Sequence, residues 1–93
     1  MKKLTENSIK ERLNEISDWE YHEGALHTTI EFRDFKDAFS VMTRIAFEAE
    51  KMNHHPNWSN VYNSLSISLS THDAGGVTDK DFELAKIIDH LVS

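Results

Sequence analysis

Residues 50–58 read Glu-Lys-Met-Asn-His-His-Pro-Asn-Trp and concentrate most of the chemistry this chain can offer. Imidazole is the one side chain whose ordinary pKa lies near neutrality, so the adjacent pair His54 and His55 suggests proton transfer or metal binding. Packing alone hardly explains two histidines beside the only proline. A third histidine, His72, stands in Ser-Thr-His-Asp-Ala-Gly-Gly, where a strand-like run ends. Histidines on opposite sides of a cleft can protonate a leaving hydroxyl and accept a proton, each poised near working pH. Trp58 nearby would add an apolar wall for a flat heterocycle. Residue types and spacing point to a hydro-lyase or isomerase acting on a small ring without a cofactor, and go no further.

Plainer explanations compete with this one. His22, His27 and His90 stand in ordinary strand or helix context and read as surface residues. His54 and His55 could cap the carbonyls of a preceding helix, which favour cationic side chains. That role requires neither both histidines nor a second loop bearing His72. Asp81 has a structural explanation as the third residue of a helical capping box. Trp58 and Tyr62 would ordinarily be core or interface aromatics. A zinc site built from His54, His55, His72 and a carboxylate of Glu50 or Asp73 is the chemical competitor. Against it, neighbouring histidines on extended backbone project to opposite sides. The HExxH and cysteine-containing metal patterns are also absent. Serines abound, but no Gly-x-Ser-x-Gly elbow appears and there is no cysteine.

The elements that must position these residues are legible from periodicity. Thr5 can cap a short first helix, with Leu4 and Ile9 as a hydrophobic staple and Ile9, Leu13 and Ile16 on one face. Residues 19–22 and 26–32 read as strands joined by a Glu23-Gly24-Ala25 turn. Leu26, Thr28, Ile30 and Phe32 then share one face, as in a sheet with one side buried. Asp34 opens the longest helix, residues 35–52. Its stripe of Phe35, Ala38, Phe39, Met42, Ile45, Ala46 and Ala49 is spaced by threes and fours. Pro56 forbids its continuation and disfavours helical geometry at His55.

Residues 58–71 alternate Val61, Leu65, Ile67, Leu69 and Thr71 with a small polar set that includes Ser64, Ser66, Ser68 and Ser70, with a break or bend at Asn63-Ser64. After the turn at residues 73–76, Thr78 and Asp81 start a last helix with Val77 and Phe82 as its staple and Leu84, Ala85 and Ile88 on its apolar face. The order α-β-β-α-β-β-α over residues 1–93 predicts one α+β domain, a four-stranded antiparallel sheet with three helices on one face.

Composition narrows the function classes. Ten basic against sixteen acidic residues give a net charge of −6, with no basic cluster beyond Lys2-Lys3, which argues against direct nucleic-acid binding. No apolar stretch approaches the roughly 20 residues that span a bilayer. The two N-terminal lysines precede no signal-like apolar segment. A cytoplasmic protein acting on a small neutral or weakly charged molecule is expected, with no membrane partner.

The spacing His54-His55-Pro56, Trp58, Tyr62, His72, Asp81 resembles the signature of the pterin-4a-carbinolamine dehydratase family. So do Phe35-Lys36-Asp37-Ala38-Phe39, Met42-Thr43-Arg44-Ile45-Ala46, Leu69-Ser70-Thr71-His72 and Asp73-Ala74-Gly75-Gly76-Val77-Thr78, and the likeness runs from about Trp19 into the last helix. The resemblance implies dehydration of 4a-hydroxytetrahydropterin to quinonoid dihydropterin, recycling the tetrahydropterin of aromatic amino acid hydroxylases with no metal or redox cofactor. It implies that His54 and His72 act as general acids from opposite faces of the ring. His55 would chiefly bind the pterin and assist as base. Glu50, Trp58 and Asp81 match positions in or beside the pocket, Asp81 binding substrate or orienting a histidine. The resemblance also implies a homodimer or homotetramer. A non-catalytic pterin-binding or scaffolding protein of the same fold is the rival reading. The pocket residues read the ring and leave the pterin's side chain open.

Overall fold

A computed structural model describes residues 1–93. Helix α1 (Glu6–Arg12) begins where the Thr5 side chain accepts the Ser8 N–H at 3.2 Å, and a 3-10 turn, Leu13–Glu15, extends it. Strands β1 (Glu20–His22) and β2 (Ala25–Glu31) follow, then helix α2 (Phe35–Met52). Strands β3 (Asn57–Val61) and β4 (Ser64–Leu69), a 3-10 turn at His72–Ala74 and helix α3 (Asp79–Val92) complete the chain. All strand pairs are antiparallel in the order β1-β2-β4-β3.

The register sets Leu26 opposite Leu69 and Ile30 opposite Leu65, so the alternating apolar residues of both central strands meet on one face. That face joins Ile9, Ile45, Phe82, Leu84 and Ile88 in a core of 12 buried residues. The opposite face carries Thr29, Ser59, Ser66 and Ser68 and is left uncovered by the helices. Two small β-propensity strands with polar outer faces could not hold alone; they depend on the helices closing their apolar side.

The first hairpin turn is shorter than expected. Ala25 belongs to β2, leaving Glu23 and Gly24 as a two-residue turn with φ of 52° and 76°. Both residues are left-handed, the geometry that matches strand twist in tight hairpins. A Cβ added at Gly24 meets nothing within 4 Å, so substitution there strains only the backbone. Gly24→Ala is expected to lower stability by roughly 1–2 kcal/mol, measurable by chemical denaturation.

The second hairpin also turns one residue earlier than expected, at Tyr62-Asn63, with Tyr62 at φ 53°. Asn63 fixes it by accepting the Phe32 N–H and donating its amide to the Phe32 carbonyl, both at 2.8 Å.

Helix α2 begins where the Asp34 carboxylate accepts the Asp37 N–H at 2.9 Å and runs over the residues the periodicity indicates. Its apolar stripe is only partly used. Ala38, Ile45 and Ala49 are buried, whereas Phe35 and Phe39 are 47% and 56% exposed and lie 5.8 Å apart, ring to ring. The stripe is wider than the sector one helix can press against α3 and the sheet, so its flank stays outside.

Helix α1 is tied to α3 by Arg12, which pairs with Asp79 and lies 4.5 Å above the Phe82 ring. Glu15 adds an ion pair to Lys86 at 2.9 Å. The Lys86 hydrogen bond, with the charges of Lys86 and Arg12, holds the Glu15 carboxyl below its ordinary range. A lowered carboxyl pKa contributes stability above the unfolded value that is lost as pH falls through the folded one. The pair is exposed, so the contribution is small and salt-sensitive. Glu15→Gln is expected to flatten the acid side of the melting-temperature profile at low salt, with little difference at high salt.

Candidate active site

Helix α2 ends at Met52 because Asn53 turns left-handed, at φ 52° and ψ 44°. Asparagine adopts that conformation more readily than most residues other than glycine. The reversal, three residues before Pro56, lets the His54 N–H donate back to the Ala49 carbonyl at 3.1 Å.

The two histidines leave this turn in different directions. The His54 side chain is 10% exposed, with Nε2 2.5 Å from Oδ1 of Asp81. That of His55 is 57% exposed, with Nε2 2.7 Å from Oε1 of Glu50, one turn back along α2.

Asp81, in the first turn of α3, is completely buried. A buried carboxylate needs several donors to offset the lost water. Besides His54 it has the Thr71 hydroxyl at 2.8 Å and the Thr78 N–H at 2.9 Å, the latter one half of the expected capping box. The Thr71 proton is committed to Asp81, so the Thr78 hydroxyl, 2.6 Å away, donates to Thr71. Facing a carboxylate, His54 carries a proton on Nε2. Its Nδ1 has no protein partner, and no buried side-chain nitrogen or oxygen in the molecule lacks one, so Nδ1 is open to solvent.

Solvent reaches His54 through a cavity of about 490 Å³, walled among others by Asn53, His54, His55, Thr71, His72 and Lys80. His72 opens the 3-10 turn after β4 and is exposed at this cavity. Its loop is closed at the base, where the Thr71 N–H donates to the Gly76 carbonyl at 2.8 Å, and Gly75 at φ 75° completes the turn. Thr71 thus serves both histidines. Its backbone closes the loop of His72, and its hydroxyl holds the carboxylate that holds His54.

The structure brings His54, His55 and His72 to one cavity and sets Glu50 and Asp81 behind the first two as hydrogen-bond partners. Asp81, completely buried and outside the cavity wall, reaches a bound molecule only through His54. Trp58 departs from the expected placement. Opposite Ile67 in the sheet, it shares the alternation that packs it half-buried against the core, and it is not in the cavity wall. Nowhere do three His, Asp or Glu side chains converge as metal ligands. Asn53, Thr71 and Lys80 escaped the sequence reading. Asparagine at a helix end before an extended segment was an available signal for Asn53, whereas nothing in residue type distinguishes Thr71 among its serine and threonine neighbours.

The family model described as Pterin 4 alpha carbinolamine dehydratase matches residues 2–91. The chain belongs to this family. A protein of Christiangramia forsetii, provisionally named a pterin-4-alpha-carbinolamine dehydratase, is 56% identical over 99% of this chain and 95% of its own length. One from Solibacter usitatus with the same provisional name is 53% identical over 98% and 96%. The crystal structure of a Brucella melitensis protein described as a transcriptional coactivator/pterin dehydratase superposes with a TM-score of 0.95. It is 34% identical, covering 98% of this chain and 99% of that one. Dehydratase activity on a pterin carbinolamine is the function that membership supports. No helix here is long and apolar enough to cross a membrane.

Proposed function

We propose that this chain is a hydro-lyase that converts 4a-hydroxytetrahydropterin to quinonoid dihydropterin and water by histidine acid–base catalysis. The observation that carries the reading is the buried His54–Asp81 pair opening on a cavity that His72 also lines. In the reaction the C4a–O bond breaks as the hydroxyl takes a proton and leaves as water. The N5 lone pair forms the new C4a–N5 double bond, and N5 gives up its proton to a base. His54 and His72 stand on opposite sides of the ring, and whichever faces the departing hydroxyl serves, protonated, as its acid. The Asp81 carboxylate holds the His54 ring by Nε2, which leaves Nδ1 to exchange the proton. His55, steadied by Glu50, binds the pterin and accepts the N5 proton. Every step is a proton transfer or a bond cleavage within the substrate, so no redox partner enters.

Turnover of chemically generated 4a-hydroxytetrahydropterin, followed by ultraviolet absorbance in the presence of a chelator, tests the reading. Acceleration over the uncatalysed loss of water is expected. Saturable binding of an oxidised pterin with no acceleration would make the chain a binding or scaffolding protein instead. Thr71→Val keeps the shape of the side chain and removes the donor to Asp81. It is expected to lower the turnover number roughly tenfold, about the worth of one hydrogen bond to a charged group, with Thr71→Ser retaining most of it.

Self-association is part of the same proposal. Phe35, Phe39 and Phe47 are all exposed on α2, and β1 and β3 are the edge strands of the sheet. Sedimentation equilibrium is expected to give a dimer or tetramer, and a monomer at micromolar concentration would overturn this.

A further inference from the structure

Of the ten lysines and arginines, Arg12, Arg33, Lys51 and Lys86 are paired with carboxylates. The other six make no ion pair, and five of them, Lys2, Lys3, Lys10, Lys36 and Arg44, are exposed. The sixth, Lys80, is half-buried and lines the cavity of His54 and His72. A lysine drawn partly out of water without a counter-charge carries a desolvation cost, which an anion arriving in the cavity would offset.

The charge of the cavity wall points the same way. The chain as a whole carries sixteen acidic residues against ten basic ones. The wall does not share that excess, with one carboxylate, Asp73, against Lys80. Lys80 follows Asp79 in the first turn of α3, where the helix dipole also favours negative charge. Asp79 is turned aside to Arg12, and Asp81 is buried beneath His54, so neither neighbouring carboxylate neutralises the lysine. The cavity, about 490 Å³, falls in the range that accepts ligands larger than a bare bicycle, roughly 300–1,000 Å³.

We infer that Lys80 recognises an anionic substituent, a carboxylate or phosphate, carried on the side chain of the pterin. This rests on the dehydratase reading for the pterin ring and adds the chemical class of its side chain. The ammonium donates to the anion while the ring stands between His54 and His72.

Oxidised pterins test this without turnover. Dissociation constants for pterin-6-carboxylate, phosphorylated 6-hydroxymethylpterin and neutral 6-hydroxymethylpterin are measured by fluorescence titration of the full chain. In the wild type one or both anionic ligands are expected to bind at least about tenfold more tightly than the neutral one, a ratio that falls as salt rises. The stronger of the two anionic ligands distinguishes carboxylate from phosphate. In Lys80→Met the ratio drops to near one, and in Lys80→Arg it is retained. Each ratio compares ligands on the same protein, so a partly unfolded variant cannot mimic the result. A wild-type ratio near one, or one unchanged in Lys80→Met, overturns the inference. Wild-type turnover of the neutral 4a-hydroxytetrahydropterin decides the dehydratase reading separately.

Discussion

His72→Ala is expected to lower turnover of 4a-hydroxytetrahydropterin by about a hundred- to ten-thousand-fold, the usual worth of a positioned general acid. The same substitution should leave global stability within about 0.5 kcal/mol of wild type. These expectations separate because His72 is exposed and its side chain makes no hydrogen bond within the protein, while its loop is closed by backbone contacts of Thr71, Gly75 and Gly76. His54→Ala would also cost activity, but it strips the buried Asp81 of a partner and confounds chemistry with folding. His72 is therefore the cleaner probe. Absorbance kinetics and a thermal melt on the same preparation check both halves. If the two histidines act on one transition state, adding His54→Ala to His72→Ala costs far less than the product of the separate losses. A His72→Ala enzyme within roughly threefold of wild type would remove His72 from the chemistry and leave His54 with His55 to carry it.

The sequence made these positions visible to different degrees. Helix α2 was legible to its ends because Asp34 caps it and its apolar spacing is unbroken. The mutual divergence of His54 and His55 followed from the extended geometry that Pro56 imposes on its predecessor. What periodicity could not reveal was which apolar residues the fold would use. Phe35 and Phe39 fit the stripe as well as Ile45 does, but burial depends on what packs opposite, and that is a tertiary fact. Trp58 misled for a related reason. Its nearness to His54 in the chain says little, because a strand sends alternate residues to opposite faces and this one went to the core. Thr71 was hidden in a different way. A hydroxyl gains its role from meeting a carboxylate ten residues away in another element, and no local pattern announces the meeting.

Asp81 is where the structural and chemical explanations meet, and substitution can separate them. Asp81→Asn retains an acceptor for the Thr78 N–H, so the capping interaction of α3 is largely kept. The amide cannot serve His54 in the same way. With its NH2 turned to Nε2 it imposes the other tautomer on neutral His54. Turnover is expected to fall at least about tenfold, since a hydrogen bond between charged groups is lost. Asp81→Ala is a harsher change. It leaves the His54 ring, the Thr71 hydroxyl and the Thr78 N–H without their acceptor inside the protein, and a loss of about 3–5 kcal/mol is expected. Together the two variants discriminate. A near-native melting temperature in Asp81→Asn with a large loss of turnover makes Asp81 the residue that orients His54. If Asp81→Asn loses stability and rate in step, Asp81 is a helix cap whose removal loosens the cleft, and the proton-transfer role of His54 must rest on His54 alone.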